Sequence, residues 1–162
     1  MVSTKDELSS FVAFKGQQGL SEFRLKALVE LIGRDFSEIQ SINCEDFFFC
    51  SLSEESKKLR IQTEDRLGKI LKAQVVKKEL EADQFILIPR IGTISPWSSK
   101  ATDILSNAGF KSLKRIEKGL SFSLDTQSDL KEKSIIEIGQ KIYDRMTQTV
   151  ITTVADAQKL FK

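Results

Sequence analysis

The feature that most constrains this chain is a set of helix and strand punctuation marks that occurs twice. Ser21 stands where a helix N-cap belongs, Leu20 and Leu25 fit a hydrophobic staple, and Leu25, Leu28, Leu31 and Ile32 fall on one helical face before Gly33. Ser95-Pro96 opens a second such helix, with Ala101, Ile104, Leu105 and Ala108 as its inner face and Gly109 as its stop. The caps differ by 74 positions (95 − 21), the glycines by 76 (109 − 33), and the following helix starts near Glu54 and Asp129 by 75 (129 − 54).

Strand candidates complete each unit. The first holds Leu8 to Phe14, closed by Lys15-Gly16 and Gly19, and Ile42 to Cys50, whose Phe47-Phe48-Phe49 puts aromatics on both faces of a strand buried on both sides. A helix opened by Ser53-Glu54-Glu55 follows, with Leu59, Leu67, Ile70 and Leu71 apolar and Gly68 interrupting it. The second unit has Phe85 to Ile91, then Leu113 to Leu124 with a turn or bulge near Gly119. Its last helix begins near Ser128-Asp129 and carries Ile135, Ile138, Ile142 and Met146.

Identity between the halves is slight, so the repeat is one of pattern. Two readings stay open: coincidence of a common element order, or a tandem pseudo-dimer of two strand-helix-strand-helix units. The second predicts an α/β fold, specifically an α+β sandwich, in which helices pack on a mixed or antiparallel sheet. The expected domain runs over residues 1–154, with pseudo-repeats at about 7–75 and 82–150. Thr147 to Val154 is rich in β-branched residues, and Ala155 to Phe161 looks helical again. The stop at Lys162 without a cap signal suggests a domain cut from something longer, with 155–162 as the start of a linker.

Composition removes several function classes. Hydrophobic content of 40% with 30% charged residues is that of a soluble globular domain. No apolar run approaches the roughly 18 residues of a membrane span, and Met-Val-Ser-Thr-Lys-Asp-Glu lacks the apolar core of a secretory signal, so a cytoplasmic protein is expected. A net charge of +2 from 25 basic and 23 acidic residues gives no long-range attraction for nucleic acid. With no histidine, the commonest general base and metal ligand are missing, and no metal site is expected. Cys44 and Cys50 would share one face of a strand about 20 Å apart, too far for a disulfide, and read as buried structural thiols.

The chemistry-bearing residues gather in the turn that leads into the Ser95-Pro96 helix. Arg90, Thr93, Ser95, Ser98, Ser99 and Lys100, with the first free N–H groups of the helix, form a candidate anion site. Also open is that Ser95 and Ser98 only cap the helix while Arg90 and Lys100 are solvated. The turn has Gly92 but lacks the further glycines of a P-loop or dinucleotide fingerprint. Trp97, the single tryptophan, either anchors the turn on the core or faces a partner. Asp103, Glu117 and Asp125 show no spacing that implies paired acid–base chemistry, and Lys114-Arg115 with Glu117-Lys118 reads as the outer edge of a strand.

The run Ile-Pro-Arg-Ile-Gly-Thr-Ile-Ser-Pro-Trp-Ser-Ser-Lys-Ala-Thr-Asp-Ile from Ile88 to Ile104, followed by Asn107-Ala108-Gly109-Phe110 and Lys114-Arg115-Ile116-Glu117-Lys118-Gly119, closely resembles the N-terminal domain of the large, single-chain phosphoribosylformylglycinamidine synthases. Weaker agreement runs from Ser21-Glu22-Phe23-Arg24 to Tyr143-Asp144-Arg145-Met146-Thr147. The resemblance implies a parent enzyme of purine biosynthesis that makes formylglycinamidine ribonucleotide from formylglycinamide ribonucleotide, glutamine, ATP and water. In that family the N-terminal domain resembles two copies of the small standalone subunit of split enzymes, and it braces an ATP-dependent synthase domain against a glutaminase.

Carried onto this chain, the resemblance implies a non-catalytic assembly domain. Its partners would be the synthase and glutaminase domains of the same polypeptide, without nucleic acid or membrane. ATP and Mg belong to the parent enzyme, and no cofactor and no catalytic residue is expected here. The loop Arg90, Thr93, Ser95, Trp97, Ser98, Ser99, Lys100 and Asp103 becomes an expected substrate or interface loop. The alternative from another class is a freestanding phosphate- or anion-binding domain, or a small-molecule enzyme, using the same loop. An RNA-binding sheet ranks third, because Phe47 to Phe49 have no matching basic cluster.

Overall fold

A computed structural model describes residues 11–53, 56–126 and 132–161. Strands β1 (Phe11–Gln18), β2 (Ile39–Leu52), β3 (Gln74–Val75), β4 (Gln84–Pro89), β5 (Leu113–Thr126) and β6 (Gln148–Ile151) form one six-stranded sheet in the order β3-β1-β2-β5-β4-β6. Every pairing is antiparallel. Read outwards from the central β2–β5 pair, each side meets a six- or eight-residue strand and then a short edge strand. The helices are α1 (Glu22–Gly33), α2 (Lys57–Leu71), α3 (Pro96–Asn107) and α4 (Glu132–Ile142), with a 3₁₀ helix over Ala155–Phe161. The fold is therefore an α+β sandwich on an antiparallel sheet, and no described helix is long and apolar enough to cross a membrane.

Alternation along the strands divides the core between two faces. Leu25 and Ile32 of α1 and Ile135 and Ile138 of α4 pack with Ile42, Cys44, Phe85, Phe122 and Leu124. Leu67 of α2 and Leu105 of α3 pack with Val12, Phe14, Phe48, Cys50 and Ile116. Each helix pair thus combines one member from each half of the sequence. On the opposite face, Phe47, Phe49, Ile86 and Ile88 meet Val154, Ala157 and Leu160. Phe47, Phe48 and Phe49 are all buried, so β2 is covered on both sides as its aromatic run requires. The residues 155–161, expected to begin a linker, form part of this second covering layer. Glu79 holds that layer from the side, its carboxylate accepting from the Val154 and Ala155 amides.

Several boundaries differ from the sequence reading. Lys15-Gly16 does not close β1, which continues to Gln18 with a register irregularity between Lys15 and Gln18; the expected residues Leu8 to Ser10 lie outside the described ones. Helix α2 is capped by Ser56, whose hydroxyl accepts from the Leu59 amide, while Ser53 bonds the Ser112 carbonyl instead; Glu54 and Glu55 lie outside the described residues. Gly68 sits inside an unbroken α2, because a Cβ there would come within 2.9 Å of the Ala73 carbonyl oxygen and packing requires its absence. The Ser128-Asp129 start of the last helix also lies outside the described residues.

Other differences reflect tertiary packing. Gly119 carries no bulge: β2 and β5 stay in register from Ser41↔Asp125 to Ser51↔Arg115, including Phe47↔Gly119. Gly119 is there because a Cβ would stand 2.8 Å from the Leu87 carbonyl oxygen and 3.1 Å from the Phe49 ring. Leu105 is buried, but Ile104, expected on the inner face of α3, is 57% exposed, and Met146 falls beyond α4 and is exposed.

Candidate functional site

Pro89 ends β4 because it has no N–H for a further ladder bond. The chain then turns through Ile91 and Gly92, whose φ of +92° favours glycine, before Ser95 caps α3. Ser95 takes extended backbone angles, its hydroxyl accepts from the Ser98 amide at 3.0 Å, and Pro96 occupies the first turn, as the sequence predicts.

This elbow fills a gap in the sheet. Strand β4 pairs with β5 only from Gln84↔Ser123 to Leu87↔Leu120, which leaves the Leu113 to Gly119 portion without a strand on that side. Helix α3 takes the place of the missing strand. The Ser98 hydroxyl donates to the Ile116 carbonyl at 2.6 Å, and the Ile116 amide donates to Thr102 Oγ1 at 3.2 Å. Two hydroxyls therefore satisfy backbone groups that would otherwise be buried without partners.

Beneath the elbow lies a charged pair that the sequence reading placed on an outer edge. Strand β5 is central, and Arg115 and Glu117 share one face at the two-residue strand period. Glu117 is fully buried. Its carboxylate accepts from Arg115 Nη2, from the Ser95 hydroxyl at 2.7 Å and, at a longer 3.4 Å, from the Ser95 amide. Arg115 spends the rest of its planar fork on Thr93 O at 3.1 Å, Ser98 Oγ at 3.3 Å and Leu160 O, with its carbon centre 5.3 Å from the Phe161 ring centroid. The alternation Arg115-Ile116-Glu117 was the available signal, since residues flanking one buried position on a strand must face together.

The loop residues consequently divide into two sets. Ser95 and Ser98 turn inward, Ser95 onto Glu117 and Ser98 fully buried, whereas Thr93 is exposed and its Oγ1 donates to the Arg90 carbonyl at 2.7 Å. Arg90, Ser99, Lys100 and Asp103 are exposed, and among the described residues none of the charged three makes an ion pair. Trp97 lies between the sets. Its ring centroid is 6.1 Å from that of Phe48, yet the residue remains 38% exposed, beside Ile94 at 62%. It both anchors the elbow and presents an apolar edge.

The positive end of α3 is already occupied by the Glu117 carboxylate, so an added phosphate would meet a resident negative charge there. Both cysteines are free and buried; burial, reinforced by Asp46, pushes the Cys44 thiol up to about 12, and burial with Glu64 pushes Cys50 further up. Such thiols are poor nucleophiles at neutral pH. Among the described residues no cluster of three His, Cys, Asp or Glu side chains is placed to hold a metal ion.

The elbow and everything that supports it fall within a segment that known proteins share. The family model for the formylglycinamide ribonucleotide amidotransferase N-terminal region matches residues 45–161, from the middle of β2 through the 3₁₀ helix. With more than half of its length matched, and with an antiparallel α+β fold in place, this chain belongs to the formylglycinamide ribonucleotide amidotransferase N-terminal family.

Proposed function

We propose that this chain is a non-catalytic assembly domain of phosphoribosylformylglycinamidine synthase, and that its elbow docks on the synthase domain of the same enzyme. The parent reaction is the ATP- and glutamine-dependent amidation in purine biosynthesis, with ATP and Mg held by the parent and the whole acting in the cytoplasm. The symmetric strand order fits a pseudo-dimer of the small subunit of split enzymes.

The observation that carries this reading is the build of the elbow. Exposed Ile91, Ile94 and Trp97 are concentrated in one turn, while the residues beneath them are fixed by a buried ion pair. Apolar groups on a rigid support are what a docking surface needs, because little ordering entropy remains to be lost on association. Exposed Arg90 and Lys100 then lie at the rim, where they orient the contact or meet a substrate phosphate. A freestanding anion site is disfavoured by Glu117, which holds the helix start itself.

In the complete enzyme, Trp97→Ala should weaken coupling between glutamine hydrolysis and product formation. Arg90→Ala with Lys100→Ala should raise the apparent KM for the ribonucleotide. Unchanged steady-state kinetics in both variants would end the proposal. The isolated chain should consume neither glutamine nor ATP, and glutaminase activity in it would contradict a non-catalytic role.

A further inference from the structure

One guanidinium joins three separate parts of the fold. Arg115 reaches the elbow through Thr93 O, the first turn of α3 through Ser98 Oγ, and the 3₁₀ helix through Leu160 O, while Glu117 balances its charge. These acceptors surround a single planar group whose donors have fixed directions. Displacing one of them therefore tilts the fork away from the others. Phe161 lies against the same group, which adds an apolar wall to the polar contacts. Side-chain exposure of 17% for Arg115 and 0% for Glu117 means that water cannot readily replace a lost partner.

We infer that Arg115 is a positioning residue that couples the elbow to the 3₁₀ helix, so that a change at Ser95 or Thr93 is transmitted to Ala157–Phe161. Glu117 is the second member of the device: by gripping the Ser95 hydroxyl and the guanidinium together, it makes the start of α3 and the Arg115 fork move as one body. For its consequence the inference rests on the docking role proposed above, since a partner seated on the elbow would then be felt at the opposite layer of the sandwich. The coupling itself does not depend on that role.

Two local readouts test it in the folded chain. Trp97, the single tryptophan, reports the elbow by its emission and by acrylamide quenching. Amide hydrogen exchange at Ala157–Phe161 reports the 3₁₀ helix. Ser95→Ala, which touches only the elbow end, should speed exchange at Ala157–Phe161 by about tenfold, while exchange in α1 stays unchanged. Phe161→Ala should in turn increase Trp97 quenching. Arg115→Lys keeps the charge but not the fork, and in that background adding Ser95→Ala should give no further change at the 3₁₀ helix.

If Ser95→Ala leaves exchange at Ala157–Phe161 as in the parent chain, the inference is wrong. It is equally wrong if the effect of Ser95→Ala persists in full beside Arg115→Lys. Should Arg115→Lys fail to fold, the Ser95→Ala and Phe161→Ala measurements decide alone. None of these outcomes depends on the kinetics of the complete enzyme, so coupling and docking fail separately.

Discussion

The Ser95 hydroxyl donates to Glu117 Oε1 at 2.7 Å, tying the cap of one helix to a fully buried carboxylate on a central strand. The bond makes Ser95 serve twice, as acceptor for the first turn of α3 and as donor to the acid below it. The elbow is thereby held from beneath, which leaves its upper surface free for contact.

Glu117→Ala should be among the most damaging single changes in the chain. It leaves the Arg115 guanidinium largely buried without its counter-charge, and breaking such a pair costs about 3–5 kcal/mol. Glu117→Gln keeps an acceptor for Ser95 and should cost less. Urea denaturation of both variants, followed by far-UV circular dichroism, checks the order; equal stability of Glu117→Ala and the parent chain would contradict it.

The two α3 hydroxyls that replace a strand beside Ile116 should matter for stability. Ser98→Ala removes the donor to the Ile116 carbonyl, and Thr102→Val removes the acceptor for its amide while keeping side-chain shape. Each should destabilise by about 1–3 kcal/mol, the cost of a buried backbone group left unpaired. Ser99→Ala, one residue along and exposed, should be close to neutral in the same denaturation assay.

Two glycines should respond to alanine with opposite signs. Gly119→Ala drives a methyl group into the Leu87 carbonyl oxygen at 2.8 Å and the Phe49 ring at 3.1 Å, in the centre of the sheet. A loss of about 1–3 kcal/mol is expected from overpacking. At Gly33, at the end of α1, nothing lies within 4 Å of an added Cβ, so Gly33→Ala should stabilise by up to about 1 kcal/mol. Thermal melts of the two variants supply the comparison.

The thiols set an alkaline limit. Folding raises the Cys44 pKa from 9.0 to about 12, so above pH 9 the unfolded chain loses a proton that the folded chain keeps. Stability from this group is complete below pH 9 and declines as pH rises towards 12. Cys44→Val should flatten the fall in denaturation midpoint between pH 9 and 11 relative to the parent chain. At neutral pH a disulfide reagent should modify both cysteines only at the rate of unfolding.

The Ser21 and Ser95 caps, the glycine after Ala108 and the buried Phe47-Phe48-Phe49 strand were legible because each rests on interactions within a few residues. The Ser56 cap was missed because Ser53-Glu54-Glu55 offers an equally good local signal three positions earlier. Gly68 and Gly119 read as breaks for a related cause. A missing side chain looks the same in sequence whether it frees the backbone or admits a neighbour. The elbow itself was identified by composition, and the division into capping Ser95 and Ser98 and solvated Arg90 and Lys100 was one of two open readings; the buried Arg115–Glu117 pair that holds Ser95 and Ser98 was not foreseen.

Local spacing and alternation thus determined the twofold strand-helix order, the start of α3 and the absence of histidine-based chemistry. Only the tertiary structure decided that β5 lies at the centre of the sheet, where Arg115 and Glu117 are buried against Ser95 instead of lying on a wet margin. The physical reason is that a strand's own period shows which residues share a face, while the solvent that face meets depends on segments distant in sequence. Here those segments are the elbow and the 3₁₀ helix, and both converge on one guanidinium.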